Sequence, residues 1–204
     1  MRSSRVAIVA LSLFFAATSA HAEPVVGIDT DPEPPPPLPT MREAMHSYFA
    51  GELAEGWVFG GAGAVGIGAG AVAAFAAKDG FYKGAAWPLL GFGAIQLAAG
   101  VVLLLRTDRQ IVERDAMLDH EKPAFYGLER PRMEKVRREF GWLAIAETAL
   151  VVVGTGVAAY GGATRDHAFF GFGTSLVFES AVMLALDGRA SDRADAYAAA
   201  LARP

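Results

Sequence analysis

The feature that most constrains this chain is an uncharged apolar run, residues 57–77, in which alanine and glycine are the commonest residues. At a helical rise of about 1.5 Å per residue the run covers roughly 30 Å, the thickness of a bilayer's hydrocarbon core. So many glycines would weaken a helix in water, whereas in lipid they let two helix backbones approach closely. The run therefore predicts a membrane-spanning helix.

Three further apolar runs of similar length follow, at residues 85–105, 140–160 and 168–186. Short turns join the four runs in two pairs, and the longer segment between the pairs is rich in charge. The pattern predicts an all-α membrane protein of four transmembrane helices, with a first hairpin at 57–105 and a second at 140–186. A hydrophobic content of 53% is more typical of this class than of soluble domains.

The two hairpins resemble each other in sequence. Four matches occur in the same order: Gly56-Trp57 with Gly141-Trp142, Val72-Ala-Ala-Phe75 with Val157-Ala-Ala-Tyr160, Gly91-Phe-Gly93 with Gly171-Phe-Gly173, and Arg109 with Arg189. We therefore predict a duplicated hairpin whose two copies point the same way, as in parallel rather than inverted repeats.

The N-terminus has the features of a secretory signal. Arg2 and Arg5 precede an apolar run that is too short to span a membrane comfortably, and Ala20 and Ala22 are small residues where a signal peptidase reads. We expect a cleaved signal peptide at 1–22, with an uncleaved signal anchor as the alternative. The Pro-rich residues 23–40 predict a semi-rigid linker, and an inert spacer is favoured over a docking site for an aromatic-lined partner.

Residues 41–56 predict an amphipathic helix at the membrane interface. Thr40 and Glu43 have the form of a capping box at its start. Met45 and Phe49 fall on one side at helical spacing, together with other apolar residues. We expect this helix to lie on the outer membrane surface and to lead into the first span.

The charged segment 106–139 predicts a helical loop. Its first part, through Leu118, is expected to continue the second spanning helix. Pro123 and Gly127 are expected to break that helix, and Pro131 to open another one.

Three strongly polar side chains fall inside the predicted spans: Gln96, Glu147 and Glu179. By the helical rise all three lie about 10–15 Å from the same interface, so they are predicted to share one layer of the bundle. A carboxylate there is costly, and it suggests a shared proton, a bound cation or a proton relay. The alternative is a structural role, with protonated carboxyls that hydrogen-bond Gln96 or the nearby hydroxyls of Thr148 and Ser175.

Small residues repeat every four positions along the first span and predict close helix packing. The packing set is Gly56, Gly60, Gly66, Gly68 and Gly70. The pattern does not distinguish packing within the chain from packing between chains. Residues 61–66 also match the dinucleotide-binding pattern G-x-G-x-x-G, which we reject because the match lies inside a membrane-length apolar run with no strand before it.

Composition and motifs argue against several functional classes. The chain has no cysteine, which excludes disulfides, thiolate metal sites and a lipid-anchored cysteine. A net charge of −4 argues against nucleic-acid binding. His46, His120 and His167 lack ligand spacing, so no metal site is expected. No catalytic motif is present, and we expect neither catalytic residues nor cofactors.

The architecture resembles that of proton-translocating rotor-ring proteolipids of the vacuolar type. The shared features are a doubled hairpin, a glycine-rich first helix and a carboxylate in the fourth span, here Glu179. The chain departs from that family in its signal peptide, its long charged loop and a third span without dense glycines. The resemblance therefore implies only that proton translocation is worth considering, and the family's function is not carried over.

These patterns predict a non-enzymatic polytopic inner-membrane protein of a bacterial-type cell, acting as a scaffold or partner-binding component of an envelope assembly. The alternative is an ion- or proton-conducting protein that uses Glu147 and Glu179. Expected partners are the lipid bilayer, an envelope protein or further copies of the chain, and no nucleic acid.

Two rules disagree about orientation. The signal peptide places the N-terminal arm, the long loop and the C-terminal tail (187–204, predicted as a short Ala-rich helix) in the periplasm. The lysines and arginines of the loop favour the cytoplasm under the positive-inside rule. We follow the signal peptide, because a translocated N-terminus starts the threading and acidic residues nearly neutralise the loop.

Overall fold

The computed structural model describes residues 39–203, which form four α-helices. The helices are α1 (Met41–Phe75), α2 (Gly80–His120), α3 (Lys122–Thr164) and α4 (His167–Leu201). This part of the chain contains no β-strand, and all four helices are long and apolar enough to cross a membrane. The predicted all-α fold with four membrane-length helices is confirmed. The predicted signal peptide, and the linker up to residue 38, lie outside the described residues.

The helices pack as two hairpins, α1 with α2 and α3 with α4, and contact between α2 and α4 joins the hairpins. Glycines form the closest approaches within each hairpin. A Cβ atom on Gly63 would lie 2.3 Å from the backbone nitrogen of Leu97, and one on Gly173 would lie 2.3 Å from the backbone nitrogen of Ala158. Any larger residue there would collide with backbone, so these glycines set the helix separation.

The joint between the hairpins is tightest near the short turns. A Cβ atom on Gly84 would lie 1.9 Å from the carbonyl oxygen of Ala168, and one on Gly171 would lie 2.0 Å from the carbonyl oxygen of Phe81. The backbones of α2 and α4 therefore touch at this end of the bundle, and no side chain fits between them.

The apolar sections of the helices turn large hydrophobic side chains outward; these sections are residues 57–75, 85–105, 140–160 and 168–186. The exposed fraction is 72% for Trp57, 71% for Val65, 71% for Trp87 and 67% for Trp142. A soluble monomer rarely exposes apolar surface on this scale. The surface therefore agrees with a multi-pass membrane protein.

All four helices continue beyond one end of the apolar sections and form a separate part of the bundle. This part, here called the head, comprises residues 41–56, 106–120, 122–139 and 187–201. Its centre is filled by Met45, Tyr48, Phe49, Leu118, Phe125, Met133, Ala194, Tyr197 and Leu201. The core draws on every helix, so the head is a four-helix bundle with a hydrophobic core of its own. The predicted C-terminal tail is the end of α4 and belongs to the head.

The head corrects the expectation of an interfacial helix at 41–56. α1 runs without a break from Met41 to Phe75, and Met45 and Phe49 are fully buried in the head core. The apolar stripe suits a membrane surface and a protein core equally well, so the pattern alone could not choose between them. The capping box of Thr40 and Glu43 is confirmed.

The expected continuation of the second spanning helix through Leu118 is confirmed, since α2 ends at His120. The rest of the turn between the hairpins differs from the expectation, because α3 begins at Lys122 after a single residue. Pro123 lies in the first turn of α3, where a missing amide donor costs little, and Gly127 and Pro131 lie inside α3. Pro123 therefore marks the start of a helix and not a break within one, and Pro131 opens no new helix.

The duplication of the hairpin stays a prediction. In the sequence alignment Gly93 matches Gly173, and Ala69 matches Gly154. In the structure Gly93 approaches Gly63, whereas Gly173 approaches Gly154. The helix crossings thus fall at positions that do not match in the two hairpins.

Candidate functional site

Two of the three predicted intramembrane polar side chains meet between the hairpins. Gln96 of α2 donates from Nε2 to Oε2 of Glu179 on α4, at 3.3 Å. Both side chains are buried, with exposed fractions of 1% for Gln96 and 6% for Glu179. The contact ties α2 to α4 within the apolar sections, as a structural hydrogen bond between helices would.

Glu147 lies apart from that pair. Its carboxyl contacts Asp187 of α4, which lies about 12 Å from Glu179 along the helix at the usual rise. Both members are buried, and Glu147 Oε2 has no hydrogen-bond partner within the described residues. Two carboxyls in contact need a proton or a cation between them, because like charges cannot share a buried site. The expected single layer is thus two levels, with Glu147 and Asp187 nearer the head.

Sequence reasoning missed Asp187. This residue lies just past the last apolar run, where the sequence predicts the start of the C-terminal tail. The signal would have been that the fourth helix continues through Asp187. On one continuous helix, Asp187 and Glu179 are separated by about two helical turns.

A buried charge network centres on Glu129 in the head. Its side chain is fully buried and accepts hydrogen bonds from Arg114 Nε at 2.6 Å, Arg132 Nη2 at 2.7 Å and the Tyr197 hydroxyl at 3.2 Å. A buried carboxylate is tolerated only with such partners. Desolvation by burial, and then the charge of Glu129, raise the pKa of Tyr197, so its hydroxyl stays a neutral donor.

A second network surrounds Glu52 of α1. The Tyr48 hydroxyl donates to Glu52 at 2.8 Å, the Thr107 hydroxyl at 3.2 Å, and Arg106 forms an ion pair at 3.5 Å. Desolvation by burial raises the pKa of Tyr48, and the charge of Glu52 adds to the effect. The guanidinium carbon of Arg132 lies 5.4 Å from the centre of the Tyr48 ring and so connects the two networks.

The sequence held only a weak signal for these networks. Tyr48 and Glu52 are spaced i,i+4, and Glu129 and Arg132 are spaced i,i+3, so each pair shares a helix face. The same spacings are common on solvated faces. They therefore do not identify a buried network.

A cavity of about 450 Å³ lies where the head meets the apolar sections, and all four helices line it. Its carboxylates are Glu52, Glu55, Glu139 and Asp187, and its cationic side chains are Arg106, Arg132, Lys135 and Arg193. Apolar side chains, among them Phe59 and Leu103, form the rest of the wall. The volume and the mixed lining are typical of sites that bind small ligands.

One ion pair on the cavity wall depends on a glycine. Arg193 of α4 pairs with Glu55 of α1. Its side chain crosses α1 over Gly51, where a Cβ atom would lie 2.2 Å from Arg193 Nε. Desolvation by burial raises the pKa of Glu55 in spite of the neighbouring guanidinium.

The glycines predicted to pack helices have different surroundings. Added Cβ atoms on Gly56, Gly66 and Gly70 would meet α2 at 2.9, 3.2 and 2.8 Å, respectively. The backbone of Gly60 faces Gly100, although a Cβ atom on Gly60 itself would meet nothing. Gly68 points into open space. The α2-facing seam instead includes Gly63, which the four-residue ridges omit.

Comparisons with protein-family models, with curated proteins and with solved structures find no match for this chain. Its function is therefore inferred from geometry.

Proposed function

We propose that this chain is a non-enzymatic polytopic inner-membrane protein of a bacterial-type envelope, acting as a scaffold or partner-binding component of an envelope assembly. The head is the observation that carries this proposal. Its hydrophobic core and the Glu129 network hold four helix ends in one arrangement. A preorganised surface outside the bilayer lowers the entropy cost of binding a partner protein.

The first partner in this proposal is the lipid bilayer. Trp57 and Trp142 are exposed at the head end of the apolar sections, and Tyr82, Trp87 and Tyr160 are exposed at the other end. Such rings favour the two interfaces of a membrane, and their separation fits a bilayer between them. The proposed orientation puts the head in the periplasm, on the side to which the predicted signal peptide would lead.

Further copies of the chain are a second proposed partner. Gly61 and Gly68 of α1 face open space in the apolar section. Glycines on an outward face let the backbone of another helix approach closely in lipid. This surface supports a homo-oligomer within the proposed assembly.

Conduction of protons or cations is the second candidate function. It is favoured by the Glu147–Asp187 pair beside the cavity and by Glu179 deeper in the bundle. The other end of the bundle argues against a conduction path through a single chain, because the backbones of α2 and α4 touch there at Gly84 and Gly171. A polar recess open on one side suits a scaffold better than a channel.

Flux through reconstituted vesicles separates the two functions. The native chain is compared with the double variant Glu147→Gln, Glu179→Gln, using a pH-sensitive dye and monovalent cation gradients. The scaffold proposal expects flux no greater than that of protein-free vesicles, and normal assembly of the double variant on native gels. Flux by the native chain that the double variant abolishes would establish conduction instead.

Partner binding is tested in cells with a photo-crosslinking amino acid. It replaces the exposed Glu134 of the head or, as a matched control, the exposed Val152 of the α3 apolar section, which lies away from the open face of α1. The proposal expects adducts of defined mass from position 134 that are absent at 152. A head that yields no adduct at 134, or at other exposed head positions such as 109, would overturn the scaffold role.

A further inference from the structure

The geometry points to a lipid-binding site in the cavity between the head and the apolar sections, which takes the head group of a zwitterionic phospholipid carrying a phosphate and a primary ammonium group. The site is independent of the proposed scaffold role. It concerns a ligand of this chain and not a protein partner.

The cavity opens sideways between α2 and α3. Val102 and Leu143 line it and are at the same time 54% and 45% exposed. Arg106 and Lys135 also line it, with side chains 48% and 67% exposed. Val102 and Leu143 belong to apolar sections, whereas Arg106 and Lys135 belong to the head. The mouth therefore lies at the level where acyl chains meet head groups, and a molecule entering there comes from the lipid.

The cationic side chains at the mouth retain capacity for a phosphate. Arg106 lies 3.5 Å from Glu52, and Lys135 lies 3.6 Å from Glu139. By comparison, Arg114 contacts Glu129 at 2.6 Å. A guanidinium and an ammonium carry five and three N–H donors. Such loose pairs leave most of those donors for phosphate oxygens, and basic pockets between membrane helices are known to bind lipid head groups.

A buried carboxylate on the inner wall of the cavity favours a positively charged group in the ligand. Asp187 lines the cavity, is only 8% exposed and forms no salt bridge within the described residues. A primary ammonium donates hydrogen bonds to such a carboxylate and supplies the positive charge that balances it. A glycerol phospholipid has a hydroxyl head group without a positive charge, and the quaternary ammonium of a choline phospholipid has no N–H donor. The ligand class is therefore an ethanolamine-type phospholipid.

The apolar part of the wall suits the rest of the lipid. Phe59 and Leu103 lie in the cavity beside its charged part, and Val102 and Leu143 flank the mouth. The volume of about 450 Å³ accommodates the head group and the glycerol region. The acyl chains then run along the exposed apolar faces of α2 and α3, in continuity with the bilayer.

Binding is measured by native mass spectrometry on the full chain in detergent, with added ethanolamine, choline or glycerol phospholipids. Inorganic phosphate and free ethanolamine, followed by thermal shift, serve as water-soluble sources of the same groups. We expect the ethanolamine lipid to bind most tightly. The double variant Arg106→Gln, Lys135→Gln should weaken this binding about tenfold.

The matched control is Arg109→Gln, Arg138→Gln. It removes the same two charges from exposed positions of α2 and α3 that do not line the cavity, and it should bind lipid normally. Val102→Trp keeps every charge and fills the mouth, so it should also prevent binding. Equal binding of the glycerol lipid, saturable stabilisation by phosphate alone, an equal loss in the control, or full binding by Val102→Trp would each overturn the site.

Discussion

At the scale of single residues, the fully buried Glu129 joins two arginines of the head in one charge network. Glu129→Gln keeps the shape but removes the charge that Arg114 and Arg132 face, and these guanidiniums are mostly buried, with 17% and 21% of their side chains exposed. Breaking a buried charge network in this way costs about 3 kcal/mol. Hydrogen exchange should show the amides of the head opening more often, with the apolar sections little changed.

The control for this variant is Glu134→Gln, an exposed carboxylate on the same helix. It should leave exchange in the head unchanged, because surface charges contribute little to stability. Equal protection in the Glu129 and Glu134 variants would mean that the network does not stabilise the head.

The capping box at the start of α1 predicts a pH effect at one residue. The Thr40 backbone N–H donates to Glu43 at 2.7 Å and, with the Thr40 hydroxyl, lowers the pKa of Glu43 from its ordinary 4.5. A carboxyl with a lowered folded-state pKa contributes stability that is complete above its unfolded value and is lost as pH falls through the folded value. The first turn of α1 should therefore fray only below about pH 4.5.

Removing the cap tests this linkage. Thr40→Ala should cost about 1 kcal/mol at neutral pH and should return the pKa of Glu43 toward its ordinary value. A carboxyl titration followed by NMR measures the second effect directly. An unchanged Glu43 titration in the variant would show that Thr40 is not its partner.

The candidate site shows how far residue-level prediction reaches. Gln96, Glu147 and Glu179 stand out because polar side chains are rare in apolar runs. Their partners could not be assigned, because the contacts of Gln96 with Glu179 and of Glu147 with Asp187 depend on how two separate helices cross. Crossing geometry follows from packing between helices, which no spacing within one helix encodes.

At the scale of helices, the seam between α1 and α2 predicts a sharp contrast between two glycines. A Cβ atom on Gly63 would meet the backbone of α2 at 2.3 Å, whereas one on Gly68 would meet nothing. Gly63→Val should force the two helices of the first hairpin apart and lower the free energy of unfolding by about 1–3 kcal/mol. Size-exclusion profiles recorded after heating should show that this variant aggregates at a lower temperature than the native chain.

Gly68→Val is the matched control, and its monomer should melt like the native chain. If the open face of α1 binds a second copy, this variant should also lower the oligomeric state. Equal melting of the Gly63 and Gly68 variants would contradict the close approach of α1 and α2.

The existence of the four helices was predictable from the sequence, as was the continuation of α2 through Leu118, whereas the extent of α1 and α4 was not. The four apolar runs were readily identified because a membrane-length apolar stretch has few other interpretations. The continuous helices α1 and α4 were each expected as two pieces, since their composition changes sharply where the apolar section ends. Backbone hydrogen bonding continues through such a change when the polar half finds other helices to pack against, as it does in the head.

At the scale of the whole molecule, the head and the apolar sections share their helices and therefore a single orientation. The turn between α2 and α3 and the end of α4 both belong to the head, so fusions at residues 121 and 203 must report the same side of the membrane. A fusion at residue 165, between α3 and α4, must report the opposite side. This pattern follows from four spans alone and holds for either orientation.

Reporter fusions at these three positions then decide the location of the head. We expect an enzyme that is active only in the periplasm to work at 121 and 203 and to fail at 165, and a fluorophore that matures only in the cytoplasm to show the reverse. The opposite result would mean that the basic residues of segment 106–139 override the predicted signal peptide, and would move any partner of the head to the cytoplasm. Different sides for 121 and 203 would refute the four-span fold, because α3 and α4 together cross the membrane twice.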